Sequence, residues 1–371
     1  MPVPAALAAR ALRRGFWSLA RPLLGRPFAS AGGRRILVLY HPNRIAWSQV
    51  YPLIAHHRRL AARHGVQLRL FPSADPDCAL PHNLAEADGV LLQTWLTDGA
   101  APVQRWVERI RALPRRPPYA YLDAFANADI RFARHLTDAR LYLKKSVLRD
   151  PSRHLGPHPG ETEIQAFYGT LHGLPTPMVD WHVPPDFPAR LRVGPNFLTD
   201  PGLSRAFARP DPPAGPRPID LHARFADEGT AWYGAMRRHA RRAAQESGAA
   251  NVPVTPNLTR GKFLAELRAS KLVFSPFGYG EICWRDIEAI AAGAVLIKPD
   301  MSHLATRPDL YEDGVTYAAC RWDFSDLADI VQRLLADAER RARLSATAYD
   351  RARRYLAGPV LDDLAPLFAE L

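Results

Sequence analysis

A chain of 371 residues exceeds what one hydrophobic core usually organises, so two domains are expected. Its 47% apolar content excludes a disordered or collagen-like chain, and its three cysteines, Cys78, Cys283 and Cys320, odd in number and without metal-ligand spacing, fit a reduced, cytosolic compartment. The formal net charge of +12 is gathered at one end: no Asp or Glu precedes Asp75, whereas twelve arginines do.

That basic end opens with a segment, residues 1–33, in which Leu7, Leu12, Phe16, Trp17, Leu19, Leu23 and Leu24 alternate with arginines in a helix-compatible pattern. Its uncharged stretches are too short to span a bilayer. Three readings stand open: an interfacial helix on anionic lipid, gaining about 1 kcal/mol per arginine near the surface; a disordered tail; or a transit peptide. No nucleic-acid-binding motif accompanies the charge, so a nucleic-acid partner is not expected. The expected location is cytoplasmic, peripheral at the inner face of a membrane.

The first folded element is the apolar run 35–40, followed by a helix over 48–64 and a strand over 66–71. Further strands are expected at 89–92, 119–122 and 139–143, with helical patterns between several of them, which implies a doubly wound parallel sheet over a domain 34–208. The loop His41-Pro42-Asn43-Arg44 lacks a G-x-G-x-x-G signature, so no dinucleotide cofactor is expected. Residues 152–218 are rich in Pro, Gly and His and read as an irregular extension of this domain. Their histidines, among them His154, His158, His172 and His182, lack ligand spacing. The run 209–218, Arg-Pro-Asp-Pro-Pro-Ala-Gly-Pro-Arg-Pro, reads as a stiff linker to a second domain, 219–371.

The second domain opens on a short strand at 219–223, followed by Arg224 and a helix from about 231 to 246. Its most telling stretch runs from Lys271 to Asp300: an apolar run, a turn with Gly278 and Gly280, a helical pattern through Trp284, Ile287 and Ile290, a break at Gly293, and a second apolar run. This is one βαβ unit, whose turn and helix start lie at the carboxyl edge of a parallel sheet, where backbone N–H groups favour anions. Glu281, Arg285 and Glu288 follow one another by four and three residues, a spacing that suits either a solvated ion-pair ladder or an arginine forking onto a diphosphate beside carboxylates for sugar hydroxyls. Cys283, inside this stretch, reads as a buried small side chain. The last 45 residues, from Asp326, are helical by pattern.

The run Ser270-Lys271-Leu272-Val273-Phe274-Ser275-Pro276-Phe277-Gly278-Tyr279-Gly280, then Arg285-x-x-Glu288-Ala289-Ile290-x-x-Gly293, then residues 307–317, resemble the donor-binding half of exostosin-type and related GT-B glycosyltransferases. The resemblance covers roughly the last 150 residues well and the rest in outline. Many retaining members of that group carry two glutamates separated by seven residues. Here Glu288 matches the second, but eight positions earlier stands Gly280, and Glu281 comes one step late.

The resemblance implies an α/β chain of two Rossmann-like doubly wound parallel-sheet domains facing a cleft, and a nucleotide-sugar-dependent glycosyltransferase acting on a glycan or lipid-linked acceptor, in cell-envelope or surface polysaccharide synthesis. The alternative is a noncatalytic protein of that fold that binds a glycan or nucleotide sugar. The donor-binding residues implied are Arg224, Lys262, Gly278, Tyr279, Gly280, Glu281, Arg285 and Glu288. Candidates for the acceptor base are His41 and Asp123, since each follows an expected strand. Asp75-Pro76-Asp77 looks like an acid pair that binds metal in another glycosyltransferase fold; no metal or other cofactor is expected to be required, the nucleotide sugar being a substrate.

Overall fold

The computed structural model describes residues 20–24, 26–29, 33–79, 82–255 and 258–371. Most of the amphipathic segment expected near the start lies outside the described residues, as do Pro256 and Asn257. What is described of it belongs to the sheet: Leu24 bridges Leu70, and the Arg69 guanidinium donates to the Pro27 carbonyl at 2.7 Å.

The chain packs as two compact units. In the first, strands β1 (Arg34–Tyr40), β2 (Val66–Pro72), β3 (Gly89–Leu92), β4 (Tyr119–Leu122), β5 (Leu141–Lys144) and β6 (Leu191–Val193) form one parallel sheet in the order β2-β1-β3-β4-β5-β6. The order reverses at β1, so the carboxyl ends of β1 and β3 frame a topological switch point, the usual ligand edge of such sheets. Strands β3, β4 and β5 are buried along their whole length, as parallel strands covered on both faces must be.

The helix expected over 48–64 is two helices, α1 (Arg44–Ala55) and α2 (His57–His64), separated at His56. The first starts early because Asn43 caps it, its side chain accepting the Ile45 N–H at 2.9 Å. The second stops at Gly65, whose φ of 60° supplies the left-handed turn at its end. Helix α3 (Ala101–Arg111) buries Val103, Trp106, Val107 and Ile110, the i, i+3, i+4, i+7 stripe of a core-facing helix, in a cluster with Leu37, Leu39, Val90 and Tyr121 from the sheet.

The second unit holds β7 (Ile219–His222), β8 (Ser270–Phe274), β9 (Val295–Pro299) and β10 (Ala318–Cys320), parallel and in chain order among the described residues. Both sheets are therefore parallel α/β structures, as expected. The stretch Pro157–Asp180 packs in this unit, although composition assigns it to the first domain, and the first unit takes in Trp181–Gly202 and Leu356–Leu371. The Pro-, Gly- and His-rich middle is also more regular than its composition suggests. It contains α4 (Glu163–Leu171), capped by Thr162, and Tyr168 on that helix donates its hydroxyl to the Trp322 carbonyl at 2.6 Å. The proline-rich run 209–218 is pinned rather than free: Arg217 donates to the carbonyls of Ser270, Pro213 and Ala292 at 2.7–2.9 Å.

Candidate functional site

In the second unit, the carboxyl edge is built from the loop after β7, the loop after β8, and the first turns of α5 (Ala231–Gln245), α6 (Arg260–Arg268) and α7 (Trp284–Ala291). The loop after β8 is held by a fully buried carboxylate. Asp286 accepts from Ser275 Oγ at 2.6 Å, from the Cys283 N–H at 3.0 Å and from Tyr311 Oη at 2.9 Å, and pairs with Lys298 Nζ at 3.2 Å. This capping box fixes Cys283 as the N-cap, so α7 begins at Trp284.

The start of α7 corrects the expected Glu–Arg–Glu ladder. Glu281 lies in the turn ahead of the helix rather than on its face, and Glu288 pairs with Arg260 of α6 at 2.5 Å. Arg285 instead lays its guanidinium against the ring of Phe225, 5.5 Å from the centroid.

Arg285 has a companion there. Arg237, on α5 and only 4% exposed, stacks on Phe225 at 5.3 Å and on Tyr233 at 4.8 Å. The buried Nε of each arginine lacks a hydrogen-bond partner, and neither guanidinium has an ion pair with a carboxylate among the described residues. Burial, and then the Arg285 charge, push the Arg237 pKa down to about 10. The same two causes push His222, fully buried at the end of β7, down to about 4, so it is neutral at physiological pH. Two cations share one aromatic ring without a direct ion pair, and the buried Asp286 carboxylate offsets the lowering of the Arg237 pKa only in part.

The remaining expected donor residues are placed as follows. Arg224 is committed: Nε and Nη2 fork onto Glu266 at 2.6 and 3.1 Å, while Asp227, its nearest acidic neighbour in sequence, pairs with Arg241. Gly278 brings its backbone beside Arg237; a Cβ there would lie 3.9 Å from Nη2. Gly280 accepts the Gly278 N–H at 3.0 Å, closing the turn. Tyr279, 52% exposed, stacks on Tyr233 with centroids 4.4 Å apart and 6° between planes, and its hydroxyl accepts the Thr230 N–H. Lys262 is exposed in the first turn of α6, two residues from Arg260. The residue that sequence reasoning missed is Arg237: it sits in a run with Arg238, Arg241 and Arg242, and only packing tells which one turns inward.

In the first unit, a buried polar chain links the carboxyl ends of the strands. The His41 N–H donates to Gln93 Oε1 at 3.2 Å, Gln93 Nε2 to Gln49 Oε1 at 3.1 Å, and Gln49 Nε2 to the Asp123 carbonyl at 2.7 Å. The Asp123 carboxylate accepts from Tyr142 Oη at 2.6 Å, Lys144 Nζ at 2.8 Å and the Phe125 N–H at 2.9 Å. At the switch point, His41 accepts the Asn43 N–H on Nδ1 and turns Nε2 toward Asp98, 3.3 Å away, a carboxylate 37% exposed. Burial lowers the His41 pKa, and Asp98 partly restores it. In the Asp75-Pro76-Asp77 turn, Asp77 pairs with Arg105 at 2.7 Å, and Asp75 accepts the Asp77 N–H. Among the described residues no three His, Cys, Asp or Glu side chains gather as a metal site, and no helix is long and apolar enough to cross a membrane.

No family model and no curated protein matches the chain. Solved structures resemble it over most of its length. A glycosyltransferase from Rickettsia africae is 9% identical, with 91% of this chain and 98% of that one covered and a TM-score of 0.49. A Listeria monocytogenes protein assigned as a UDP-N-acetylglucosamine 2-epimerase gives 13%, 91%, 98% and 0.49. HepE of Anabaena with UDP-glucose gives 13%, 91%, 100% and 0.46. With TM-scores below 0.5, these likenesses leave the functional reading to the residues themselves.

Proposed function

We propose that the chain is a glycosyltransferase of the GT-B type, which takes a sugar from a nucleoside-diphosphate donor and passes it to a glycan or lipid-linked acceptor in cell-envelope polysaccharide synthesis. The observation that carries this reading is the Arg237–Arg285 pair on Phe225, which lacks a direct ion pair at the carboxyl edge of a parallel sheet. A donor diphosphate supplies the partner charge. Each charge-assisted hydrogen bond contributes roughly 1.5–3 kcal/mol, so each arginine is expected to account for roughly ten- to hundredfold in affinity. The same two guanidiniums would hold the diphosphate as it leaves, when its charge is greatest. The exposed Tyr279–Tyr233 stack offers a flat face to a base or sugar ring.

Transfer with inversion requires a base for the acceptor hydroxyl. Asp123 is buried, takes three donors and pairs with Lys144, so the His41–Asp98 pair is the better candidate of the first unit, with Asp98 presenting the more accessible oxygens. Asp98→Asn is expected to lower turnover about 10²- to 10⁴-fold and leave nucleotide binding unchanged. The same change removes the charge that raises the His41 pKa, so any residual activity should hold to a lower pH than in the wild type. A turnover unaffected in this variant would remove the pair from the mechanism.

The alternative is a noncatalytic binder of the same fold. Incubating the full chain with nucleotide sugars and following release of the free nucleotide separates the two. Slow donor hydrolysis that disappears in Arg285→Ala is expected for the enzyme. Donor binding without hydrolysis or transfer to any glycan or lipid-linked acceptor would favour the binder. Attachment to an anionic membrane surface belongs to the same proposal, with the arginines of the first 75 residues supplying the charge.

A further inference from the structure

At the opposite, amino edge of the first sheet lies a second concentration of arginines. A cavity of about 880 Å³ opens between the end of α3 and the starts of β4 and β5, with Arg111, Arg116, Tyr119, Asp138, Arg140 and Arg190 in its wall. Two of these arginines are used up internally. Arg111 forks onto Asp138 at 2.8 and 2.7 Å, with Tyr119 donating to the same carboxylate, so Arg111 and Tyr119 hold Asp138 ionised, below the usual carboxylate range. Arg190 donates to the Thr137 and Ala139 carbonyls and pairs with Asp186 at 3.0 Å.

The other two are not used. Neither the Arg116 nor the Arg140 guanidinium has an ion pair or hydrogen bond among the described residues, and both are exposed on the cavity wall. Their backbones are nonetheless fixed. The Arg140 N–H donates to the Tyr119 carbonyl at 2.8 Å, and the Arg116 N–H to Leu113 at 3.0 Å. Arg116 has a φ of 41°, a left-handed conformation that a side-chain-bearing residue before a proline adopts at a cost, and such strain tends to persist where position matters. Glu370 is the one carboxylate of the wall outside the Arg111 fork, so the cavity keeps an excess of positive charge.

We propose that this cavity is an anion site for a phosphate-bearing group of sugar or lipid-headgroup size, held by Arg116 and Arg140 over a floor fixed by the Arg111–Asp138–Tyr119 cluster. Planar guanidiniums match phosphate oxygens two at a time, and the volume leaves room for the body that carries the phosphate. Pro118, half-buried at the cavity edge, offers that body an apolar contact. The site shares no residue with the Arg237–Arg285 pair and stands whether or not that pair binds a donor.

The test is phenylglyoxal labelling of the full chain, read residue by residue by peptide mass spectrometry. It is run with sn-glycerol 1-phosphate, with phosphatidylglycerol vesicles, and with phosphatidylcholine vesicles. At least about tenfold slower labelling of Arg116 and Arg140 in glycerol phosphate is expected for a soluble phosphate ligand, and protection by phosphatidylglycerol alone is expected for a lipid headgroup. Arg116→Ala/Arg140→Ala should weaken binding of the protecting anion by about tenfold or more, with donor binding unchanged. Labelling that none of the anions slows, equal protection by phosphatidylcholine, or an unaffected double variant would overturn the proposal.

Discussion

Arg237→Met is expected to make the protein more stable and less able to bind a nucleoside diphosphate at the same time. Arg237 is 4% exposed, has no carboxylate partner and faces a second cation. Burial, and then the Arg285 charge, push its pKa below the ordinary arginine value, to about 10. The sign follows from linkage. A base whose folded pKa is depressed resists protonation in the fold, so at pH 7, below both values, the full cost is present, and it disappears only as pH rises through the ordinary arginine value. Methionine fills a similar space without charge, so a gain of roughly 1–3 kcal/mol is expected in the absence of ligand, or several degrees in Tm. Nucleoside diphosphates should raise that Tm less than in the parent at the same concentration, in keeping with a roughly ten- to hundredfold loss of affinity. A variant that is less stable than the parent, yet stabilised by diphosphate as before, would mean that Arg237 is a structural cation.

Asp286→Ala should have the largest effect on stability. Asp286 and Lys298 are both fully buried, and the carboxylate also holds Ser275, the Cys283 N–H and Tyr311. Truncation leaves a buried ammonium with little beyond the Ser275 carbonyl at 3.4 Å, the Cys283 sulfur at 3.8 Å and the Phe277 ring at 5.1 Å. A loss of about 3–5 kcal/mol is expected, read as a lower midpoint in urea unfolding. The loop from Ser275 to Cys283 should loosen with it, costing donor affinity. Asp286→Leu combined with Lys298→Met should recover most of the stability, because no charge is then buried alone. If the double variant is as unstable as the single one, packing rather than charge accounts for the loss.

How much of this was legible beforehand depended on local signals. Strands 89–92 and 119–122 are uninterrupted apolar runs, and their limits coincide with the structure. Strand β6, three residues in a proline-rich stretch, and β10, Ala-Ala-Cys, have no such signature and are strands only because a neighbouring edge pairs with them. Helix α4 was hidden by composition, although Thr162 and its N–H acceptor geometry mark its start.

The βαβ unit around Gly278 was visible, but the first turn of α7 was not, because a cysteine N-cap is not a recognisable start signal. With the helix starting at Trp284, Glu281 stands three residues ahead of it, which dissolves the ladder. The proposed diphosphate site was half visible for a related reason. Arg285 stands beside a glycine turn, whereas Arg237 differs from the arginines around it only by the face of α5 on which it lies.

The most direct test of the central claim is calorimetric titration of the full chain with UDP, GDP, ADP and TDP, each against its monophosphate, repeated in Arg237→Met/Arg285→Ala. At least one diphosphate should bind, its monophosphate at least roughly tenfold more weakly, and the double variant should bind neither measurably. A folded wild-type chain that binds no nucleoside diphosphate, or a double variant that binds it with unchanged affinity, would contradict the assignment of the arginine pair to a donor diphosphate.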